Sequence, residues 1–545
     1  MNIASARNRL IKLTKSNNFI ECGMTAALGL LMIIQRFLTG GYKPVMDDWF
    51  LYGDLYTTIP SRVAQFAIPN EKFAIRPAAG FVDCFINAPL FKHLWIAELL
   101  VTAALLIGAF LIIKTLRKNN AAGAGFLMCV VCLFPVGLEA TYWLAASTRV
   151  AYSLLFIGAA IYSLDYYYKT KKIRGLISYS VLGLFAVSFY EPAIVIYIIL
   201  TLFVLWCGCK EKKDLIPLII LIAQIAAIGL YYILNSDSGE IESRGGFVKQ
   251  NIWEHTTRIS AFLKDILGKY SIAITKHGFK NGLMIILGGH KILKVGIIAC
   301  LSAIFGLFSA LFVKKRNFSC KFLILGIVLL VGGVSLNYLL GSDRIPLRLV
   351  FFSYLGIGII IDELLILLPK TVCKITCGLC VTVLAFIFTV AGIGEVRDYQ
   401  LTSDFDTHIT QQLIDLDTPE RISNSHKNTY VFGGQHYYEE SKCVSYLDHI
   451  RGASGNYADI TGCMRHITGT PDTNNIMTFT YGDSQILKPY IDTEGLCSFY
   501  NIEYDKTVVR VNIVPDGDNY DVVREDGTSA GKLVKIDDKK FQFFN

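Results

Sequence analysis

The sequence predicts a polytopic α-helical membrane protein with about eleven transmembrane helices and a C-terminal soluble domain that is mixed α/β or β-rich. Three observations predict it. Of 545 residues, 53% are hydrophobic and only 18% charged, with mean hydropathy +0.45, against about 25% charged in a typical soluble domain. Long apolar runs recur from about residue 18 to about residue 394, each near the roughly 20 residues that a helix needs to span a hydrocarbon core. From Glu395 to Asn545 the runs stop, and polar, turn-forming and β-branched residues alternate. The boundaries read as a membrane domain over 1–394, with long loops at about 39–92 and 235–291, and a soluble domain over 395–545.

The expected spans are 18–38, 93–113, 121–138, 146–164, 176–190, 192–209, 215–234, 294–313, 322–340, 349–368 and 375–394. The first follows a basic segment with Arg7, Arg9, Lys12 and Lys15 and lacks a small-x-small cleavage site, so it reads as a retained helix. Basic clusters follow alternate spans: Lys114, Arg117 and Lys118; Lys169, Lys171, Lys172 and Arg174; Lys210, Lys212 and Lys213; Lys314, Lys315 and Arg316; Lys370 and Lys374. The positive-inside rule assigns that side, with the N-terminus, to the cytoplasm. An odd span count then puts the C-terminal domain outside. In the second long loop, Ile259, Phe262, Leu263, Ile266 and Tyr270 recur at helical spacing with Arg258, Lys264, Asp265 and Lys269 between them, the pattern of an interfacial helix. Leu55, Ile59, Val63 and Phe66 form a weaker stripe in the first. The tail shows strand signals at about 428–432, 476–481 and 507–514, with turns at Gly433-Gly434, Asp516-Gly517-Asp518 and Asp526-Gly527.

The formal charge of +8 does not indicate nucleic acid, because the basic residues sit beside apolar runs instead of forming one stripe. Of fourteen cysteines, ten lie in or next to spans. Cys443, Cys463 and Cys497 in the tail allow one disulfide and one thiol. His255, His277 and His290 have no ligand spacing, so no metal is expected. There is no Walker-type phosphate loop, which leaves direct nucleotide use unsupported and no cofactor expected.

Asp47 and Asp48, in KPVMDDWFLYGD, follow the first span by about ten residues on the outer side. Adjacent carboxylates can hold different protonation states, so one can accept a proton while the other orients it; a solvated turn is the plainer alternative. Glu191, in SFYEPAIV, interrupts an apolar stretch running from about Leu176 to Cys207. A carboxylate near membrane depth costs several kcal/mol unless paired or facing a cavity, and Pro192 suggests a helix break there. Glu139, with Tyr142 and Trp143 nearby, is a weaker candidate of the same kind.

A first helix with a cytoplasmic N-terminus, a long outer loop opening on an acidic pair, and many further helices resemble the GT-C glycosyltransferases that use polyprenyl- or dolichyl-phosphate sugars. More narrowly, MDDW, IRPAAG and SFYEPA together with the hydrophilic C-terminus resemble the serotype-converting glucosyltransferases of temperate phages and O-antigen gene clusters. The resemblance implies a membrane glycosyltransferase of the bacterial inner membrane that moves a hexose, glucose first, from a polyprenyl-phosphate donor to an O-antigen type surface polysaccharide. Its partners would include membrane lipids, a flippase and a donor synthase. The role of catalytic base falls by resemblance to Asp47 or Asp48. Cations for the lipid-phosphate leaving group are expected among Arg76, Arg149, Arg344 and Arg348, since arginine's fork of donors suits phosphate; each could instead anchor a helix end at the headgroups. Two other classes share parts of this pattern: a transporter or flippase for lipid-linked saccharides, and an O-antigen polymerase or ligase. A transporter calls for inverted repeats and interrupted helices with charges near the midplane. The early acidic pair favours the GT-C layout over a polymerase.

Overall fold

The computed structural model describes residues 17–55, 63, 76–119, 125–234, 252–288, 292–313, 317–339, 347–417, 428–433, 457–469, 476–479, 484–486, 497–503, 505–537 and 540–544. The chain divides into two compact units. The first comprises Met1–Gly41, Phe66–Val82 and Glu98–Val396; the second comprises Tyr42–Gln65, Asp83–Ala97 and Arg397–Asn545.

The first unit is helical. Among the described residues, five helices are long and apolar enough to cross a membrane: Phe19–Phe37, Pro77–Lys118, Leu144–Thr170, Ile292–Phe312 and Lys370–Leu416. Shorter apolar helices run over Ile173–Phe189, Ala193–Gly208, Ile216–Tyr231 and Cys320–Ser335. The expected span 121–138 is not one helix. Helix Gly125–Leu133 stops where Phe134 turns extended ahead of Pro135, which has no N–H to continue the ladder, and a short helical turn Pro135–Gly137 leads into Leu138–Thr141. The apolar run is long enough to span, but the proline divides it. The long loop expected at 235–291 also holds more helix than its stripe suggests. Ile252–Lys264 is helical, with Ile259, Phe262 and Leu263 half-buried and Arg258 and Lys264 exposed. A π-helical turn, Asp265–Tyr270, then joins it to a further helix, Ser271–Leu287. That helix lies against Lys370–Leu416 with no room for side chains at the crossing: a Cβ on Gly282 would collide with the Val390 carbonyl, and one on Gly394 with the Gly278 carbonyl. Such small-residue seams let two helix backbones approach where lipid offers little other driving force.

The last of these helices runs past the expected domain boundary at 394 and continues to Leu416. Hydropathy falls after Gly394, yet Val396, Tyr399, Ser403, Asp406, Thr410 and Leu413 are buried at alternating spacings of three and four, which keeps one helical face covered.

Among the described residues of the second unit, eight strands form one sheet. They are β1 (Asn428–Phe432), β2 (Ile476–Phe479), β3 (Ser484–Ile486), β4 (Cys497–Ile502), β5 (Val508–Asp516), β6 (Asn519–Arg524), β7 (Ser529–Lys535) and β8 (Lys540–Phe544). The order is β2-β1-β4-β5-β6-β7-β8-β3. β1 is parallel to β2 and β4, and the stretch between β1 and β2 includes helix Tyr457–Thr468. From β4 onward the neighbours are antiparallel. The expected strands and turn glycines are present: Gly433, Gly517 and Gly527 all take positive φ, and Gly517 sits in the two-residue loop closed by the Asp516–Asn519 pair. Tyr430, Phe432, Phe479, Val511, Val522, Leu533, Phe541 and Phe543 form the core. The end of helix Lys370–Leu416 is tied to this sheet. Gln412 donates to the Lys506 carbonyl at 3.0 Å and accepts from the Val508 N–H at 2.9 Å, and just past the helix Asp417 accepts from the Tyr500 hydroxyl at 2.8 Å. Cys463 is buried and Cys497 half-buried, and Cys443 lies outside the described residues.

One ion pair gives this unit a pH dependence. Arg524 donates through Nε and Nη2 to the two oxygens of Glu503, both at 2.8 Å, and Asn501 donates to Oε1. The guanidinium, ahead of that amide, holds the Glu503 carboxyl below the usual carboxylate range. The pair's contribution is therefore full above the unfolded Glu value of about 4.3 and is lost as pH falls through the lower folded value. Glu503→Gln is expected to remove a component of about 0.5–1 kcal/mol from the acid limb of the unfolding profile, measured by thermal melts of the purified chain between pH 3 and 6; an unchanged acid limb contradicts it.

Candidate functional site

The acidic pair heads a helix of the second unit, Asp47–Leu55. The turn into it needs Met46 at φ +46, and the amides of Asp48 and Trp49 then bond back to Val45 and Met46. Asp48 is wholly buried. Its Oδ2 accepts from the Val45 N–H at 3.1 Å, three residues back, as in a capping box, and from the Tyr42 hydroxyl. Asp47, one position earlier, is exposed. The two carboxylates are thus set in different environments, one fixed within the fold and one open to solvent.

The helix behind them is held by polar contacts that local sequence does not announce. Trp49 donates its indole N–H to Asp406 at 3.0 Å, both residues buried. Tyr52 donates to Asp83 at 3.2 Å, and Asn87 donates to both at the same distance, from a π-helical turn over Asp83–Asn87. Gly53 crosses Gly462 so closely that a Cβ would sit 2.7 Å from its Cα. This brings His466 edge-on to Trp49 and Phe91, at 5.3 and 4.8 Å between ring centroids. Burial, then the charge of Lys92, holds the imidazole below the ordinary histidine range, so it is neutral at physiological pH. Lys43 and Arg397 both pair with Asp404.

The expected cations fall in the first unit, and the structure brings two of them together. Arg76 precedes helix Pro77–Val82, whose proline occupies the first helical position. Its Nε donates to Glu191 at 2.7 Å. Glu191 sits where Tyr190 turns extended and Pro192 caps the next helix, so the apolar stretch is divided there into Ile173–Phe189 and Ala193–Gly208. Arg348, in the first turn of helix Leu347–Ile366, lies 3.4 Å from Glu139 and 5.3 Å from the centroid of the Trp143 ring. The Arg76 guanidinium is 5.1 Å from the centroid of Tyr190. Tyr190, over whose ring Arg76 lies, in turn packs against Phe352, one helical turn beyond Arg348, at 6.1 Å between ring centroids. Two arginines from segments 272 positions apart in the chain (348 minus 76) therefore share one neighbourhood, each aligned by a carboxylate and an aromatic face.

Of the other two expected arginines, Arg149 donates to the Ala145 carbonyl of its own helix. Arg344 lies outside the described residues. Missing from the sequence-based candidates is Arg36, which is wholly buried with Glu98 at 3.1 Å and also donates to Thr102. The signal was available: Gln35 and Arg36 interrupt an otherwise apolar run, and Glu98 interrupts another. Among the described residues, no group of three or more His, Cys, Asp or Glu side chains is arranged to hold a metal ion.

No family model, curated protein or solved structure matches this chain.

Proposed function

We propose that the protein is a GT-C-like glycosyltransferase that crosses the membrane eleven times, with its N-terminus in the cytoplasm. It moves a hexose, in the first place glucose, from polyprenyl phosphate to a surface polysaccharide on the outer face. The observation that carries this reading is the meeting of Arg76 and Arg348 around Tyr190, at the ends of apolar helices. A phosphate leaving group needs positive charge held where water is scarce, and two guanidinium groups that already have fixed orientations supply it with little reorganisation. Glu191 and Glu139 hold those orientations and balance the charge before the donor arrives.

In the reaction, the acceptor hydroxyl oxygen forms a bond to the anomeric carbon as the bond from that carbon to the phosphate oxygen breaks. Polyprenyl phosphate leaves with the electron pair, and its charge is met by Arg76 and Arg348. The hydroxyl proton passes to a carboxylate. By the resemblance that role falls to the acidic pair, and we assign it to Asp47, which is exposed, whereas Asp48 is wholly buried.

Binding of polyprenyl phosphate to the purified protein in nanodiscs tests the cation assignment. Arg76→Gln and Arg348→Gln are each expected to weaken it about tenfold or more, the loss of a charge-assisted hydrogen bond worth about 1.5–3 kcal/mol. Affinities equal to wild type in both variants would remove these residues from the site.

A further inference from the structure

At one end of the first unit, two turns are locked together. Lys171 closes helix Leu144–Thr170 in a left-handed conformation, φ +54, with its N–H bonded to the Tyr167 carbonyl at 2.7 Å. Its ammonium pairs with Asp214, from the turn between helices Ala193–Gly208 and Ile216–Tyr231. Asp214 also accepts from the Lys210 and Glu211 amides at 3.0 and 3.2 Å, and the Tyr168 hydroxyl donates to the Asp214 carbonyl at 2.8 Å. Asp165 pairs with Lys169. Both aspartates are buried, so Lys169 and Lys171 are charge-matched within the fold.

Lys172 and Arg174, on the same turn, are not. Both are exposed, and neither pairs with a carboxylate among the described residues. The Lys172 amide bonds to Thr170, and the Arg174 guanidinium lies 5.1 Å from the Tyr166 ring centroid and donates to its hydroxyl. The two cations sit at the start of helix Ile173–Phe189, which carries Ile173, Ile177, Val181 and Leu184 at 65, 58, 47 and 42% exposure. Spacings of four and three keep these side chains on one stripe. A contiguous apolar surface of this kind marks contact with a partner or with lipid. The depth of its charged end is marked independently by Trp206, 50% exposed in the last turn of helix Ala193–Gly208, with the Lys321 ammonium 4.8 Å from its ring centroid. Amphipathic indoles collect at headgroup level.

We propose that Lys172 and Arg174 hold the phosphate of an anionic phospholipid whose acyl chains lie along Ile173, Ile177 and Val181. The inference needs only that these helices sit in a membrane, and it does not depend on sugar transfer. Charge complementarity selects the headgroup. A zwitterionic lipid brings its own ammonium beside the phosphate, whereas a phosphatidylglycerol headgroup brings the net negative charge that two unmatched cations attract. Arginine adds a fork of donors and lysine a point charge. The stripe selects a lipid over a free anion, because a soluble phosphate leaves those apolar side chains uncovered. The locked turns hold the backbone that carries both cations.

The test titrates the full-length protein in detergent micelles with phosphatidylglycerol or phosphatidylcholine and reads bound lipid by native mass spectrometry. Wild type is expected to bind phosphatidylglycerol at least about tenfold more tightly. In the double variant Lys172→Gln/Arg174→Gln that affinity should fall about tenfold or more, while Lys172→Arg/Arg174→Lys keeps it within about twofold. Both side chains are exposed, so neither variant should shift the thermal midpoint in lipid-free micelles. Equal affinity of the wild type for the two lipids, or unchanged phosphatidylglycerol binding in the double glutamine variant, overturns the site and leaves these cations to topology alone. Displacement of the lipid by millimolar inorganic phosphate overturns the lipid assignment and leaves a simple anion site.

Discussion

Asp47→Asn is expected to reduce sugar transfer by at least about 100-fold and to leave folding unchanged. Positioned general bases contribute about 10²–10⁴-fold, and an asparagine amide cannot take up the acceptor proton. The side chain is exposed at the head of its helix, whereas that of Asp48 is wholly buried. Asp48→Asn is the internal control, and it should act on stability instead. Its carboxylate is buried, caps the Val45 N–H and accepts from Tyr42. Both bonds go to the same oxygen, Oδ2, so replacement weakens them by removing its negative charge, at about 1–3 kcal/mol. The two variants are separated by measuring turnover and thermal midpoint on the same preparations. The reverse pattern, with turnover lost in Asp48→Asn at an unchanged midpoint and kept in Asp47→Asn, would move the proton-accepting role to Asp48.

Removing Arg36 should give the largest loss of stability. Arg36→Ala removes one partner of a wholly buried ion pair, a change of about 3–5 kcal/mol. Replacing both partners with methionine removes the charge and the desolvation together and is expected to recover most of that loss, since apolar substitutes for buried pairs are often neutral or better. Denaturant unfolding of the detergent-purified protein reports both numbers. A single variant as stable as wild type would mean that Glu98 is satisfied without Arg36.

The parts of the molecule that were legible in the sequence are those fixed by local chemistry. Apolar runs mark helices because backbone groups in an apolar setting must pair within their own segment. Pro192 marks the break at Glu191, and Gly517 and Gly527 mark hairpin turns. Where the reading went astray, one averaged property hid a local one. The run 121–138 is apolar throughout, and that average conceals Pro135. The helix ending at Leu416 outlasts its hydropathy, because burial at Ser403, Asp406 and Thr410 is polar. The site was legible in its members but not in its pairings. Arg76 and Glu191 are 115 positions apart, and Arg348 and Glu139 are 209 apart, so no spacing rule connects them. Asp83 and His466 are unmarked in the sequence for the same reason: each gains its meaning from a partner on a distant segment, Tyr52 and Trp49 respectively.

The most direct measurement of the central claim is transfer of labelled glucose from synthetic polyprenyl-phosphate glucose to isolated surface polysaccharide by the purified wild-type protein. The account predicts label in the polysaccharide, dependent on the protein and abolished by Asp47→Asn. Label that stays on the lipid with every polysaccharide and polyprenyl-phosphate sugar supplied, together with protein-dependent movement of that lipid across a vesicle bilayer, would contradict it and identify a transporter instead.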